Sequence, residues 1–362
     1  MPKGIVTVRW DDNQGTVLDA KYPEDLQLTA DETMRIFTSH AMGEGKAGFM
    51  SMKLEAMNVA SYYTGLVRKG EAQYYIALIL GSDEDAGIFE EPLTEAARDL
   101  LKKLGMDNYQ DFLAKAYDRL TEYVKLTDEQ RIALILSDPV RRLIFRRLTE
   151  SCMSKMELQE WLEQELGTQI ADIDLLLVPL TRAGIVKKRV VEGVTGDCIF
   201  LARDVFAAFV PPEVVMTRIL RGEIKGNTAK LSRNQITDFF KKREPSEDDM
   251  MKVAEILTDS SLYQMISQLR KGVLDKDELV KLTEKSGNEV GKLIKNLVKL
   301  GIVSELTDSS NHRAYLLKAD PQISLFFPEY MIDNIRTKWA SGEISSEMAV
   351  NYLQMLKEEF LA

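Results

Sequence analysis

At 362 residues, 45% hydrophobic and 29% charged, the chain is long enough for two or three domains, each with its own core. Its formal net charge of −10 argues against attraction to nucleic acid over the whole surface, and its two cysteines are too few for a disulfide framework, which implies a reducing, cytoplasmic setting. No run of about 18 apolar residues and no charged-then-apolar leader is present, so neither a membrane span nor a signal peptide is expected.

In chain order, GIVTVRW (4–10), the turn DDNQG and TVLDAKYP (16–23) read as a β-hairpin. Thr29 and Glu32 make a capping box before a helix carrying Met34, Ile36, Phe37 and Met42. Strand patterns follow at 47–56, 59–68 and 71–80, then helices around 91–104 and 108–124. Residues 1–126 are therefore predicted to be an α+β domain with a five-stranded, mostly antiparallel sheet. The segment HAMGEGKAG (40–48) is glycine-rich, but Lys46 precedes Ala47 and the first glycine of a phosphate loop is missing. A helix end and loop is expected there.

The remainder contains a duplication. TQIADIDLLLVPLTRAGIV (168–186) aligns without gaps on SGNEVGKLIKNLVKLGIV (286–303), and 136–148 matches 257–269, both placing apolar residues at helical spacing: Val140, Leu143 and Ile144 in one, Leu262, Met265 and Ile266 in the other. Capping boxes Ser154/Glu157 and Asp275/Glu278 open a second helix in each copy, and a hairpin follows each third helix. Helix, helix, helix and hairpin make a winged helix. A helical extension follows each copy, marked by Gly222-Glu223-Ile224 and Gly342-Glu343-Ile344. The expected architecture is multidomain α+β: a domain at 1–126, a winged helix with extension at 127–245, and a second at 246–362.

No catalytic constellation emerges, no cofactor is implied, and His40, His312, Cys152 and Cys198 are too scattered for a metal site. The third helices carry the functional argument, because a DNA reader projects polar and basic side chains from this element. In the first copy the outward positions are Leu175, Val178 and Arg182; Asp172 and Asp174 would repel phosphate, and Pro179 should bend or interrupt the helix. That helix reads as a protein-docking surface, or as one covered by the chain itself. In the second copy Lys292, Lys295 and Lys299 form a basic stripe, with His312 and Arg313 in the wing turn and Lys318 beyond it, which could touch phosphate or be a solvated face. Charge is also local between the copies. Residues 218–243 carry eight basic and two acidic side chains, the basic ones being Arg218, Arg221, Lys225, Lys230, Arg233, Lys241, Lys242 and Arg243. This connector could meet nucleic acid, an acidic membrane surface or the acidic first domain of a second copy.

The element order of residues 1–126, with its opening KGIVTVRWDDNQG…LDAKYPED, resembles the longin domain, a relative of the roadblock fold. The resemblance implies docking to small GTPases, trafficking machinery or other longin and roadblock domains. Residues 136–210 resemble ArsR-type winged helices, without their metal-binding residues, and also the protein-binding winged helices of ESCRT-II subunits. A longin domain followed by winged helices is similar to the nitrogen permease regulator-like proteins, which regulate Rag-type GTPases. That likeness implies an arginine acting in trans on a GTPase, for which Arg68 in the hairpin between 59–68 and 71–80 is the candidate; an ordinary exposed hairpin charge is the alternative. The leading expectation is a non-enzymatic scaffold in small-GTPase regulation or membrane remodelling. The alternative is a nucleic-acid-binding regulator working through the second winged helix and the connector.

Overall fold

The computed structural model describes residues 2–42, 47–65, 72–170, 173–246, 248–307 and 313–361. The chain divides into two compact units, Met1–Leu126 and Thr127–Ala362.

The first unit comprises β1 (Gly4–Asp11), β2 (Gly15–Tyr22), α1 (Ala30–Met42), β3 (Gly48–Leu54), β4 (Met57–Tyr63), β5 (Tyr74–Leu80), α2 (Glu90–Leu101) and α3 (Tyr109–Tyr123). The strands form one antiparallel sheet in the order β2-β1-β5-β4-β3. The β1–β2 turn closes because Asp11 Oδ1 accepts from the backbone N–H groups of Asn13 and Gln14, while Gly15 takes a φ of 76°. The Thr29/Glu32 box starts α1: Thr29 N donates to Glu32 Oε2 at 2.7 Å, and Glu32 N donates back to Thr29 Oγ1. Alternate residues of the sheet serve opposite layers. Ile5, Ile76, Leu78 and Leu80 pack against Phe89, Leu93, Leu100 and Leu113 on the α2–α3 side. Val6, Val8, Tyr75 and Ile79 pack against Ile36 and Phe37 of α1. Burial on both faces explains why β5, YYIALIL, is an unbroken apolar run rather than an alternating one. This unit is compatible with a longin-like fold.

The second unit begins with α4 (Asp128–Ser137), α5 (Pro139–Glu150), β6 (Met153–Ser154), α6 (Lys155–Leu166), α7 (Asp174–Arg182), β7 (Val186–Val190), β8 (Asp197–Leu201), β9 (Asp204–Val210), α8 (Glu213–Leu220) and α9 (Gly226–Lys242). The same series recurs as α10 (Asp249–Thr258), α11 (Ser260–Leu269), β10 (Leu274–Asp275), α12 (Lys276–Thr283), α13 (Gly287–Lys299), β11 (Val303–Thr307), β12 (Arg313–Leu317), β13 (Asp320–Phe326), α14 (Tyr330–Ala340) and α15 (Ser346–Leu361). Each repeat holds a small three-stranded sheet, β6-β8-β7 and β10-β12-β11. The capping boxes at Ser154/Glu157 and Asp275/Glu278 are formed.

Stretch 136–148 is not one helix. Asp138 caps α5, accepting from Val140 N and Arg141 N, and Pro139 occupies its first turn, where its missing N–H costs nothing. An additional helix, α4, lies upstream and corresponds end to end with α10. These two helices pack on each other. Beside them β9 and β13 form a two-stranded antiparallel sheet with Ala207 opposite Ile323. Its register is symmetric: Asp204 faces Phe326 at one end, and their counterparts Asp320 and Val210 face each other at the other. The two repeats are thus joined about a local two-fold through α4, α10, β9 and β13.

The helical extensions are exchanged across this axis. Extension α8–α9 of the first repeat packs on the second repeat's sheet, where Val215 and Ile236 meet Leu306 and Leu316, and Ser304 Oγ lies 3.1 Å from Gln235 Oε1. Helix α15 of the second repeat packs on the first repeat's sheet. Tyr352 is fully buried there, its hydroxyl donating to the Leu201 carbonyl at 3.0 Å and its ring against Phe200.

Candidate functional site

Helix α7 of the first repeat runs unbroken from Asp174 to Arg182, with Pro179 buried inside it. The expected interruption does not occur, since proline here removes a single backbone hydrogen bond while the ring joins the core. Asp174, although its side chain is 46% exposed, is held by two lysines. Its carboxylate accepts from Lys155 Nζ at 2.9 Å and Lys188 Nζ at 2.5 Å. Burial raises its pKa, but the hydrogen bonds from Lys188 and Lys155 outweigh burial and hold it below the ordinary range. Asp172 lies outside the described residues. Leu175 and Val178 are half-buried and Arg182 is exposed.

The basic residues of the first repeat's hairpin are also occupied. Lys187 and Arg203 pair with Glu359 of α15, and Arg189 pairs with Glu358. With Lys155 and Lys188 held by Asp174, five cations of the first repeat already have anionic partners. A phosphate backbone would have to displace those carboxylates before it could bind.

The second repeat differs. The Ser286/Glu289 capping box starts α13, and Val290, Ile294 and Leu297 are buried. Lys292, Lys295 and Lys299 are all exposed on the remaining surface, and no ion pair holds them among the described residues. The other expected contacts do not join them. Arg313 is exposed but paired with Glu305 at 3.4 Å. Lys318 is half-buried, with its ammonium 5.7 Å from the Phe239 ring of α9, so it serves packing between elements. His312 lies outside the described residues.

The basic connector is not one patch. Arg218 pairs with Glu223 at 3.1 Å and donates to the Lys271 carbonyl. Arg243 pairs with Asp249 at 2.5 Å and stacks over Phe209 at 4.2 Å. Both are structural. Arg221, Lys225, Lys230, Arg233, Lys241 and Lys242 are exposed. Arg68 and the glycine-rich residues 43–46 lie outside the described residues.

Two polar clusters have no signature in the sequence. In the first unit His40 Nε2 lies 2.6 Å from Ser61 Oγ, and its ring stacks on Tyr63. This pairing of a base with a hydroxyl is sealed in the core, with Ser61 fully buried, and burial lowers the His40 pKa to about 4. In the second unit Arg270 Nη1 and Nη2 donate to Glu129 at 2.8 and 2.9 Å, Nε donates to Asp320 at 2.8 Å, and Nη2 also reaches the Pro321 carbonyl. Tyr263 completes the cluster, donating to Glu129 at 3.0 Å. Burial pushes the Arg270 pKa down, and the two carboxylates more than reverse it; burial raises Asp320. Residues 129, 270 and 320 are too distant in the chain for any spacing rule to associate them. Cys152 and Cys198 are both buried, and burial pushes the Cys152 thiol up to about 12, away from nucleophilic use.

No protein-family model matches the chain, and no curated protein sequence is similar to it.

Proposed function

We propose that the Thr127–Ala362 unit is a tandem of winged helices, and that the protein is a non-enzymatic interaction scaffold whose first winged helix docks protein rather than DNA. The carrying observation is the neutralised first repeat: Asp174 holds Lys155 and Lys188, and Glu358 and Glu359 hold Lys187, Arg189 and Arg203. What α7 offers outward is Leu175, Val178 and Arg182. Apolar side chains half open to solvent beside neutralised charge suit a protein surface better than a polyanion. The longin-like unit is a second platform. By its resemblance, its partners are small GTPases or longin and roadblock-type domains.

A second reading has its own observation, the exposed stripe Lys292, Lys295 and Lys299 on α13, which no ion pair holds among the described residues. Lysine supplies charge without a base code, so this face would hold a nucleic-acid backbone without reading sequence.

Titration into labelled random duplex DNA at low and physiological salt separates the two. The scaffold reading expects no affinity at physiological salt, and at most low-salt binding that disappears when Lys292, Lys295 and Lys299 are changed together to Ala. Micromolar affinity at physiological salt would overturn it. A purified Ras-type GTPase, offered in its GDP and GTP-analogue forms, then tests the partner class.

A further inference from the structure

The duplicated extensions provide an internal control. Helices α9 and α15 begin at equivalent residues, Gly226 and Ser346, and bury equivalent ones: Ser232 and Tyr352, Ile236 and Leu356. Their outer faces differ. Where α9 carries exposed Lys230 and Arg233, α15 carries Val350 and Leu353, 62% and 41% exposed. The fold therefore does not require apolar residues at these positions, because the first copy is built with cations there.

In the second copy the apolar face lines a trough between α14 and α15. One cavity of about 670 Å³ is bounded by Tyr330, Ile332, Leu353 and Phe360, and another of about 360 Å³ by Ile332, Trp339, Val350 and Leu353. They share Ile332 and Leu353, so the trough follows α15, whose 16 residues span ~24 Å.

We infer that this hairpin is the interface between two copies of the chain, the α15 ridge of each lying antiparallel in the trough of the other. Two observations select a second copy. First, Tyr330, Ile332, Trp339, Val350, Leu353 and Phe360 are 39% to 66% exposed. At ~150–250 Å² for a whole aromatic side chain and somewhat less for an aliphatic one, they offer on the order of 600 Å² per copy. Two such faces, fully covered, bury roughly 1,200 Å², the lower bound for a stable specific interface. Second, the trough's rim carries no net charge to oppose a second copy: Glu329, Asp333 and Lys357 border one cavity, and Arg336, paired with Asp333 at 3.3 Å, borders the other. The inference is independent of the reading of α7, which lies on another element.

Light scattering on the size-separated full-length protein over roughly 1–100 μM tests it. The expected mass is twice the 41.1 kDa of the chain, falling to the monomer value when Val350→Lys and Leu353→Arg install the first copy's residues. Because the first copy folds with those residues, the variant's thermal unfolding should match the parent's at concentrations below the dissociation range, where both are monomeric. Trp339→Lys, at the other wall of the trough, gives a second, independent disruption. A monomeric parent at the highest concentration would overturn the inference, as would a dimer that survives both variants. A parent that is monomeric alone and dimerises only with an added amphipathic helix would also overturn it, since the trough would then belong to a different protein.

Discussion

His40 is held neutral against Ser61 and Tyr63, and its pKa falls from 6.5 to about 4 because the charged ring would be desolvated. Above its unfolded pKa the group carries no proton in either state and burial is unopposed. As the pH falls through 6.5 towards 4, the unfolded chain takes up a proton that the folded one refuses, so stability is lost over that window. The first unit should lose about 2 kcal/mol between roughly pH 7.5 and pH 5 from this group alone. His40→Asn, which keeps a hydrogen-bonding partner for Ser61, should flatten that slope in pH-dependent denaturation. An unchanged slope in the variant would place the acid sensitivity elsewhere. Nothing in the neighbourhood of His40 in the chain announced this contact. Serine 61 is 21 positions away, and only the packing of α1 on the sheet brings the two together.

Among the elements, the capping boxes at Thr29, Ser154 and Asp275 and the hairpins of the duplicated region were legible, because their hydrogen bonds lie within a few residues of one another. Helices α4 and α10 were not, since both end at an aspartate that starts the next helix, leaving no loop to mark the boundary. The character of α7 was half legible. Its lack of a reader's polar residues is in the sequence, but the partners of Asp174 come from α6 and β7. Helix α13 carries a prediction of its own. If it meets a polyanion, replacing Lys292, Lys295 and Lys299 together should lower the slope of log affinity against log salt by about one per lysine, near three in all. A parent and variant with the same slope would assign the stripe to solvent.

The second unit as a whole is held by contacts that cross the duplication. Arg270 follows α11 of the second repeat and bridges Glu129 of the first to Asp320 of the second, with Glu129 and Asp320 largely shielded from solvent. Removing it leaves two carboxylates with reduced solvation and no counter-ion. Arg270→Ala should therefore cost about 3–5 kcal/mol, the usual cost of breaking a buried pair from one side. The exchanged extensions predict how that loss is distributed. Hydrogen exchange should show protection falling in both repeats together, at β7–β8 as well as β11–β12, because each sheet is covered by the other repeat's helices. Loss confined to one repeat would mean that the two open independently.

The sequence by itself determined the kind of most elements, the existence of the duplication, and part of the core of each repeat. Those properties rest on periodicity and caps, which are local. Only the tertiary structure decided how the copies are used. It paired them about a two-fold through β9 and β13, exchanged their extensions, and thereby set Glu358 and Glu359 against Lys187, Arg189 and Arg203. Which cations stay open is a property of pairs far apart in the chain, and such pairs exist only once the chain has closed on itself. For that reason eight connector residues alike in charge divide into two that hold the fold and six that face solvent.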